Sequence, residues 1–179
     1  MRNWVPVPGS TKGKLALIAL AEFGKRGYDS VNVTELATAA GVTTGSLYHH
    51  FGNKAGVYSF VREEAERRLL DRMEGAAAAV DGRGDTAALR AALLVGFDFA
   101  VREQFAAMLA EPHPERTDDP VERFLATLTR RASRPLPRLL AAAWRAALGE
   151  ARKGSVDEVR AALGTLVPDA ASVRARRRP

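Results

Sequence analysis

Residues 40–54, which read AGVTTGSLYHHFGNK, decide the fold. Gly41 separates two short helical segments, and the second begins after Thr43, whose hydroxyl can cap a helix N-terminus. Leu47 and Phe51 are four residues apart, so they lie on one face of that second helix. Two short helices joined by a tight glycine turn are typical of a helix-turn-helix, whose second helix enters the DNA major groove.

The opposite face of this second helix is polar and compact. Short hydroxyls, a phenol and an imidazole suit phosphate oxygens and base edges. Gly45 has no side chain, which allows the backbone to approach a partner closely. From the residues alone DNA binding is one of two readings, because any short helix pair joined by glycine gives a similar pattern. The polar face comprises Thr43, Thr44, Ser46, Tyr48 and His49.

Two further helices flank this pair in the sequence. The first is predicted from about Lys12 to Lys25, with apolar residues spaced for one face. Asn32, followed three residues later by Glu35, has the pattern of a capping box and opens the short helix that precedes Gly41. Asn53 can cap a longer helix that starts at residue 54 and continues to about residue 74.

The remainder of the chain also has helical periodicity, so the expected fold class is all-α. Residues 85–111 form one amphipathic stretch, which is either one long helix or a broken one. The next helix is predicted over residues 121–128, with apolar residues along one face. Prolines at 135 and 137 and a Gly-Ser pair at 154–155 begin two more helices, and Pro168 ends the last. Loops are predicted at residues 82–85 and 112–120.

Composition excludes several classes of site. The chain has 179 residues and a mass of 19.3 kDa, no cysteine and three histidines. Disulfides, thiolate metal sites and cysteine nucleophiles are therefore excluded, and we expect no metal and no cofactor. The sequence has no apolar run long enough for a membrane span and no secretory signal, which predicts a cytoplasmic protein.

Net charge is +6, and it is concentrated at the two ends. Residues 1–60 carry six basic and three acidic side chains, and residues 170–179 carry four arginines. Residues 61–169, with 17 basic and 18 acidic side chains, are nearly neutral. Basic ends on a neutral body suggest a polyanionic partner, of which nucleic acid is the first candidate, although arginine tails are often only solvated ends.

Two stretches, FGKRGY at 23–28 with VTELA at 33–37, and AGVTTGSLYHHFGNK at 40–54, resemble the N-terminal domain of the TetR family of transcriptional regulators. The resemblance covers roughly residues 12–60. It implies a DNA-binding domain at 10–57, a helical effector-binding and dimerisation domain at 58–170, and a basic tail at 171–179. Glu22, where an apolar residue is more usual, and Gly56, in the first turn of the fourth helix, depart from the pattern.

The resemblance also implies roles for individual residues. Tyr48 would bond a phosphate through its hydroxyl, Lys54 would anchor the flanking phosphate, and His50 would be partly packed. Thr43 has a second interpretation, as a helix cap alone. The full set of expected DNA-binding residues is Thr34, Thr43, Thr44, Gly45, Ser46, Tyr48, His49 and Lys54.

The C-terminal body would hold a small, hydrophobic effector and a dimer interface. Residues 136–147 and 156–167 have apolar faces suited to packing on each other or on a symmetry mate. The resemblance implies a homodimeric repressor that leaves a palindromic operator in double-stranded DNA when ligand binds. Such residues are more often ordinary core than ligand contacts, and the candidate ligand-binding residues are Phe97, Phe99, Phe105, Met108, Phe124 and Trp144.

The same residues also allow other functions. The chain could be a helical protein-interaction module whose basic ends touch membrane or RNA. It could also be a regulator that activates transcription, or one that acts without a ligand. An enzyme is not expected, because no acid and base pair can be identified among the scattered carboxylates.

Overall fold

The computed structural model describes residues 9–80, 85–129 and 135–167, and every regular element in these ranges is an α-helix. The predicted all-α class is confirmed, and the helix starts agree with the predicted caps. The helices are α1 (Thr11–Arg26), α2 (Val33–Ala39), α3 (Thr44–Phe51), α4 (Lys54–Ala78), α5 (Asp85–Arg102), α6 (Ala106–Ala110), α7 (Pro120–Leu128), α8 (Leu136–Ala151) and α9 (Val156–Leu166).

The described chain forms two compact units. The first unit contains residues 9–67 and 104–117, and the second contains residues 68–103 and 118–167. Helix α4 passes from one unit to the other, so the compact units do not divide where the sequence suggested a functional boundary, at residue 57. That functional boundary stays a prediction.

In the first unit, α1, α2, α3 and the first half of α4 enclose an apolar core that includes Leu15, Phe23, Leu36, Leu47 and Val57. Side-chain caps set the helix starts, as expected from the sequence. The Asn32 side chain accepts the Thr34 amide at 2.7 Å, and the Thr43 hydroxyl accepts the Ser46 amide at 3.2 Å. These bonds satisfy amides that have no partner inside the helix.

The expected capping box at α2 forms only in part. Asn32 caps the helix, but the Glu35 carboxylate accepts a hydrogen bond from Arg26 Nη1 at 2.8 Å rather than returning to the backbone. A charged donor is the stronger partner for a carboxylate than a neutral amide. Glu22 accepts from the same guanidinium at 3.1 Å, which accounts for an acid at that position in α1.

In the first unit α6 packs against α1. At residue 24, the carbonyl oxygen of Gln104 and the Phe105 ring leave no space for a Cβ atom. Between α5 and α6, Gln104 adopts a φ of +60°, which is not a helical conformation. The amphipathic stretch 85–111 is therefore two helices, and the second belongs to the first unit.

The second unit is built from the rest of α4 with α5, α7, α8 and α9. Its interior is apolar, and the one polar group of its buried Trp144, the indole N–H, donates to the Leu93 carbonyl at 3.1 Å. Asp119 caps α7 and also accepts two bonds from Arg145 of α8, at 2.8 and 2.9 Å.

Some predicted features lie outside the described residues. These are the loop at 82–84, Pro168 and the arginine tail. Within the described ranges, no helix is both long enough and apolar enough to cross a bilayer.

Candidate nucleic-acid interface

The outer face of α3 is accessible to a partner. Tyr48 is 48% exposed, and Thr43, Gly45 and His49 are also exposed. Thr44 and Ser46 are half-buried. The inner side is held by Leu47, which is fully buried. Six of the eight predicted DNA-binding residues therefore lie together on one helix and its cap.

The helices around this face begin without acidic side chains. The first turns of α1, α3 and α4 contain no Asp or Glu. A helix N-terminus carries partial positive charge that favours anions. Lys12 and Lys14 lie in the first turn of α1, and Lys54 is the first residue of α4. The partial positive charge at these three helix starts is therefore not neutralised by an acidic side chain of the same first turn.

Lys54 lies over the turn between α1 and α2. Its Nζ is 4.5 Å from the centroid of the Tyr28 ring and 3.5 Å from the Asp29 carbonyl oxygen. The side chain is half-buried. Contact of Lys54 with a phosphate stays a prediction, but the side chain already has a defined position in the protein.

Lys12 is a further basic residue that the sequence did not single out. Its Nζ lies 5.5 Å from the centroid of the Phe51 ring and 5.1 Å from that of the Phe60 ring. This cation–π arrangement joins the first turn of α1 to the end of α3 and to α4. No helical periodicity reports it, because the three residues are far apart in sequence.

Three further positions from the sequence analysis lie near this face, and the expected contact of Thr34 with DNA stays a prediction. Thr34 is exposed at the start of α2. His50 is half-buried, as the resemblance implied, and its ring lies 5.3 Å from that of His49. The structure explains why glycine occupies position 56. A Cβ atom there would collide with the Phe51 carbonyl oxygen where α4 follows α3.

A buried arginine forms the centre of a polar network behind this interface. Arg62 is 1% exposed, and its guanidinium donates to Tyr58 Oη at 2.6 Å, Glu66 Oε1 at 2.9 Å and the Glu111 carbonyl at 2.8 Å. Tyr58 donates in turn to the Met108 carbonyl at 3.3 Å. The network attaches α6 and the chain after it to α4.

His113 continues this network. Its Nδ1 accepts the backbone amides of Glu115 and Arg116 at 3.1 and 3.0 Å, and its Nε2 lies 3.2 Å from Ser59 Oγ. Because Nδ1 accepts, the proton of the neutral ring belongs on Nε2. Burial, with the positive charges of Arg116 and Arg62, lowers the pKa of His113 below its ordinary 6.5.

The sequence contained a signal for part of this network. Tyr58, Arg62 and Glu66 recur every four residues in α4 and so share one helix face. The contributions of Glu111 and His113 had no such signal, because these residues lie in a connecting segment about 50 residues away.

The six candidate ligand-binding residues do not fall in one unit. Phe105 is the N-cap residue of α6 and Met108 lies within that helix, and both belong to the first unit. The other four belong to the second unit, where Phe97, Phe99 and Trp144 are buried and Phe124 is half-buried. Their role in ligand binding stays a prediction.

The helix-turn-helix segment matches a known family. Residues 18–59 match the family described as bacterial regulatory proteins, tetR family. Over 45 residues the chain is 44% identical to the HTH-type transcriptional repressor KstR2 of Mycobacterium tuberculosis. That match covers 25% of this chain and 22% of the repressor, so it spans less than a quarter of the relative's length.

Solved structures extend the likeness to most of the chain. A TetR-family transcription regulator from Shewanella sp. PV-4 aligns with a TM-score of 0.63 at 20% identity, covering 88% of this chain and 96% of that chain. AibR in complex with isovaleryl coenzyme A and operator DNA aligns with a TM-score of 0.56 at 16% identity, covering 86% and 97%. At these identities the likeness shows the fold alone.

These comparisons confirm the resemblance read from residues 12–60. They also confirm an all-helical fold with an N-terminal helix-turn-helix and a C-terminal helical part. The family and the named relative are transcriptional regulators rather than enzymes, which supports the prediction of a non-enzymatic protein.

Proposed function

We propose that the chain is a member of the TetR family of bacterial regulatory proteins and acts as a cytoplasmic, homodimeric repressor of transcription. The dimer binds a palindromic operator in double-stranded DNA, and a small hydrophobic ligand releases it. The contacts fall on Thr34, Thr43, Thr44, Gly45, Ser46, Tyr48, His49 and Lys54.

One observation carries the DNA-binding part of this proposal. An exposed polar face on α3 lies beside helices whose first turns hold lysines and no acids. Phosphates provide the negative charge that such helix ends lack. Hydroxyl and imidazole groups of α3 then face the base edges.

Apolar stripes on the second unit support a dimer. Leu139 is 63% exposed on α8, and Ala142 and Ala146 are exposed three and seven residues later. On α9, Leu166 is 52% exposed and Ala162 is also exposed. Leu140, Trp144 and Leu163 belong to the apolar faces that were predicted over residues 136–147 and 156–167. They are buried in the interior of their own unit instead.

We assign these exposed stripes to the dimer interface. Small residues beside single leucines allow two helices to approach closely, and burial of the leucines removes apolar surface from water. Leu139→Glu should therefore convert dimer to monomer, measured by sedimentation equilibrium. Leu17→Glu is the matched control, because Leu17 is 50% exposed on α1 in the first unit. Equal effects of both variants would remove α8 from the interface.

The ligand part rests on aromatic residues in the second unit, namely Phe97, Phe99, Phe124 and Trp144, with Phe105 and Met108 in the first unit. A ligand releases DNA only to the extent that it prefers the conformation with misplaced DNA-binding helices. AibR, a protein of the same fold, was crystallised with an acyl coenzyme A and with operator DNA. The test is release of a bound duplex during a screen of apolar compounds.

A footprint on the DNA upstream of the protein's own gene tests the central proposal. We expect a protected palindrome that survives excess random DNA, with two half-sites about 34–36 Å apart. Specific binding should exceed random-duplex binding by about 10³ or more. Protection lost to random competitor would favour the alternative, a helical interaction module with basic ends.

A further inference from the structure

We infer that Tyr28 is a positioning residue for Lys54: its ring holds the ammonium group at the DNA-facing start of α4. This inference rests on the proposed function and adds to it a residue outside α3 and outside the expected contact set. Tyr28 acts through Lys54 and touches no DNA itself.

The position of the Tyr28 ring is fixed from two sides. It stacks on Phe23, with ring centroids 6.2 Å apart and planes 14° apart. It meets the Tyr58 ring edge-on, with centroids 4.8 Å apart and planes 70° apart. Phe23 and Tyr58 are both fully buried. The Tyr28 ring, on which the Lys54 ammonium lies, is therefore part of a packed aromatic cluster.

The backbone of Tyr28 is fixed as well. Its amide donates to Glu111 Oε2 at 2.9 Å. The preceding residue, Gly27, has a φ of +80°, and a Cβ atom there would collide with the Glu111 carboxylate. Only glycine adopts this conformation readily and also leaves room for the carboxylate. Glu111 thereby holds the turn from which the ring projects.

Lys54 gains a defined direction from this support. The Lys54 ammonium lies 4.5 Å from the centroid of the Tyr28 ring, whose π face attracts the cation, and burial with the negative charges of Glu115 and Asp29 raises the pKa of the Tyr28 phenol. The contact with the Asp29 carbonyl occupies one of the three ammonium donors. The others are available for a phosphate, and a side chain that is already ordered loses less entropy on binding.

A double-mutant cycle tests the inference without knowledge of the operator. The variants are Tyr28→Phe and Tyr28→Leu, each with Lys54 intact and with Lys54→Ala. The probe is a short duplex of mixed sequence, because phosphate contacts do not depend on sequence. Affinity is measured over a series of salt concentrations, and thermal unfolding of each variant reports on folding.

We expect Tyr28→Phe to bind like the wild type, because the ring remains. Tyr28→Leu should weaken binding about threefold with Lys54 present and leave it unchanged with Lys54→Ala. Lys54→Ala should reduce the salt slope by about one per subunit. In the free protein, the Lys54 side-chain protons should show a ring-current shift in the NMR spectrum that Tyr28→Leu abolishes.

Three results would overturn the inference. Equal losses from Tyr28→Leu in both backgrounds would mean that Tyr28 only stabilises the fold. Equal losses from Tyr28→Phe and Tyr28→Leu would exclude the ring face. An unchanged salt slope in Lys54→Ala would show that Lys54 contacts no phosphate. These results require a wild type that binds DNA, whereas a wild type that binds no duplex at low salt would overturn the proposed function itself.

Discussion

The two units of the chain treat the positive ends of their helices differently. In the first unit, α1, α3 and α4 begin without an acid, and the acid of α2, Glu35, is paired with Arg26. In the second unit, α7 and α9 begin with Glu122 and with Asp157 and Glu158, whereas α8 begins without an acid. Acids in a first turn stabilise a helix by themselves. In the first unit the three helix starts without an acid belong to α3 and to the helices that pack beside it, and two of them carry lysines, so we assign the positive potential for a partner to this unit.

The units also place their charged groups differently. The first unit buries Arg62 and Glu66 in a hydrogen-bonded network. In the second unit, the pair between Arg160 and Asp98 joins α9 to α5 with both side chains more than 40% exposed. Breaking a buried ion pair costs far more stability than breaking an exposed one, because the remaining charge is left unpaired in an environment without water. The difference predicts which arginines matter for stability.

Arg62→Met should have the largest effect on stability. Methionine retains the length of the stem but leaves the Tyr58 hydroxyl and the Glu111 carbonyl without the guanidinium donor, and it leaves the buried Glu66 with Arg116 as its remaining charged partner. We expect a loss of about 3 kcal/mol in the free energy of unfolding, measured by urea denaturation. Arg160→Met, the matched exposed control, should cost less than about 1 kcal/mol. Similar losses in the two variants would contradict the comparison.

Gly45→Glu should separate DNA binding from stability. The change places an acid in the first turn of α3, where a Cβ atom would meet nothing closer than Thr43 Oγ1 at 3.7 Å. The helix dipole favours the added charge, so the free energy of unfolding should be unchanged or raised by a few tenths of a kcal/mol. Affinity for duplex DNA should fall about 30-fold, or about 2 kcal/mol, through repulsion of phosphates.

The control for this variant lies at the start of α9. Glu158→Gln removes an acid from a first turn in the second unit and should leave duplex affinity unchanged. Retained affinity in Gly45→Glu would mean that the start of α3 does not face the DNA backbone.

Asp119→Asn should destabilise the second unit moderately. Burial opposes the charge of Asp119, but the hydrogen bonds and charge of Arg145 and the amides of Val121 and Glu122 outweigh it and lower its pKa. Asparagine still caps α7 but loses the ion pair, at a cost of about 1–2 kcal/mol. The wild type should lose this increment as pH falls from about 3.8 through the lowered pKa, whereas the variant should show a flatter acid limb.

His113 should give the smallest effect, a dependence of stability on pH in the first unit. Its lowered pKa means that the unfolded chain binds the proton first, so the free energy of unfolding falls as pH drops below 6.5. Protonation also removes the Nδ1 acceptor from two amides. Tyr58, Arg62 and Glu66 of α4, with Glu115 and Arg116 of its own segment, surround the ring.

The matched pair of variants for this test is His113→Asn and His49→Asn. Asparagine can still accept an amide but does not titrate in this range, so the first variant should lose part of the acid slope in urea denaturation. His49 is exposed, and its replacement should retain the slope. Identical slopes in the wild type and in His113→Asn would contradict the prediction.

Much of the first unit could be predicted because its signals are local. Ser10, Asn32 and Thr43 cap α1, α2 and α3, and each acts on an amide two or three residues away. Leu47 is buried, as the helical spacing from residue 51 indicated. The exposed outer face of α3 follows from the same periodicity, because a short helix can bury only one side.

The residues that support this face could not be predicted in the same way. Glu111 binds the amide of Tyr28, and the cation–π contact joins Lys54 to that ring across 26 positions. Such contacts carry no periodic signal, since each depends on how separate helices pack. The same reason explains why Phe105 and Met108, expected beside the other aromatics, lie in the first unit.

The sequence by itself determined the all-α class, the helix-turn-helix with its caps, and the polar face that points away from the core. These properties depend on spacings of two to four residues, over which backbone geometry fixes the neighbours. The tertiary structure alone decided that residues 104–117 join the first unit, that Arg62 is buried, and that Tyr28 supports Lys54. Those outcomes depend on packing between distant segments, which local spacing does not specify.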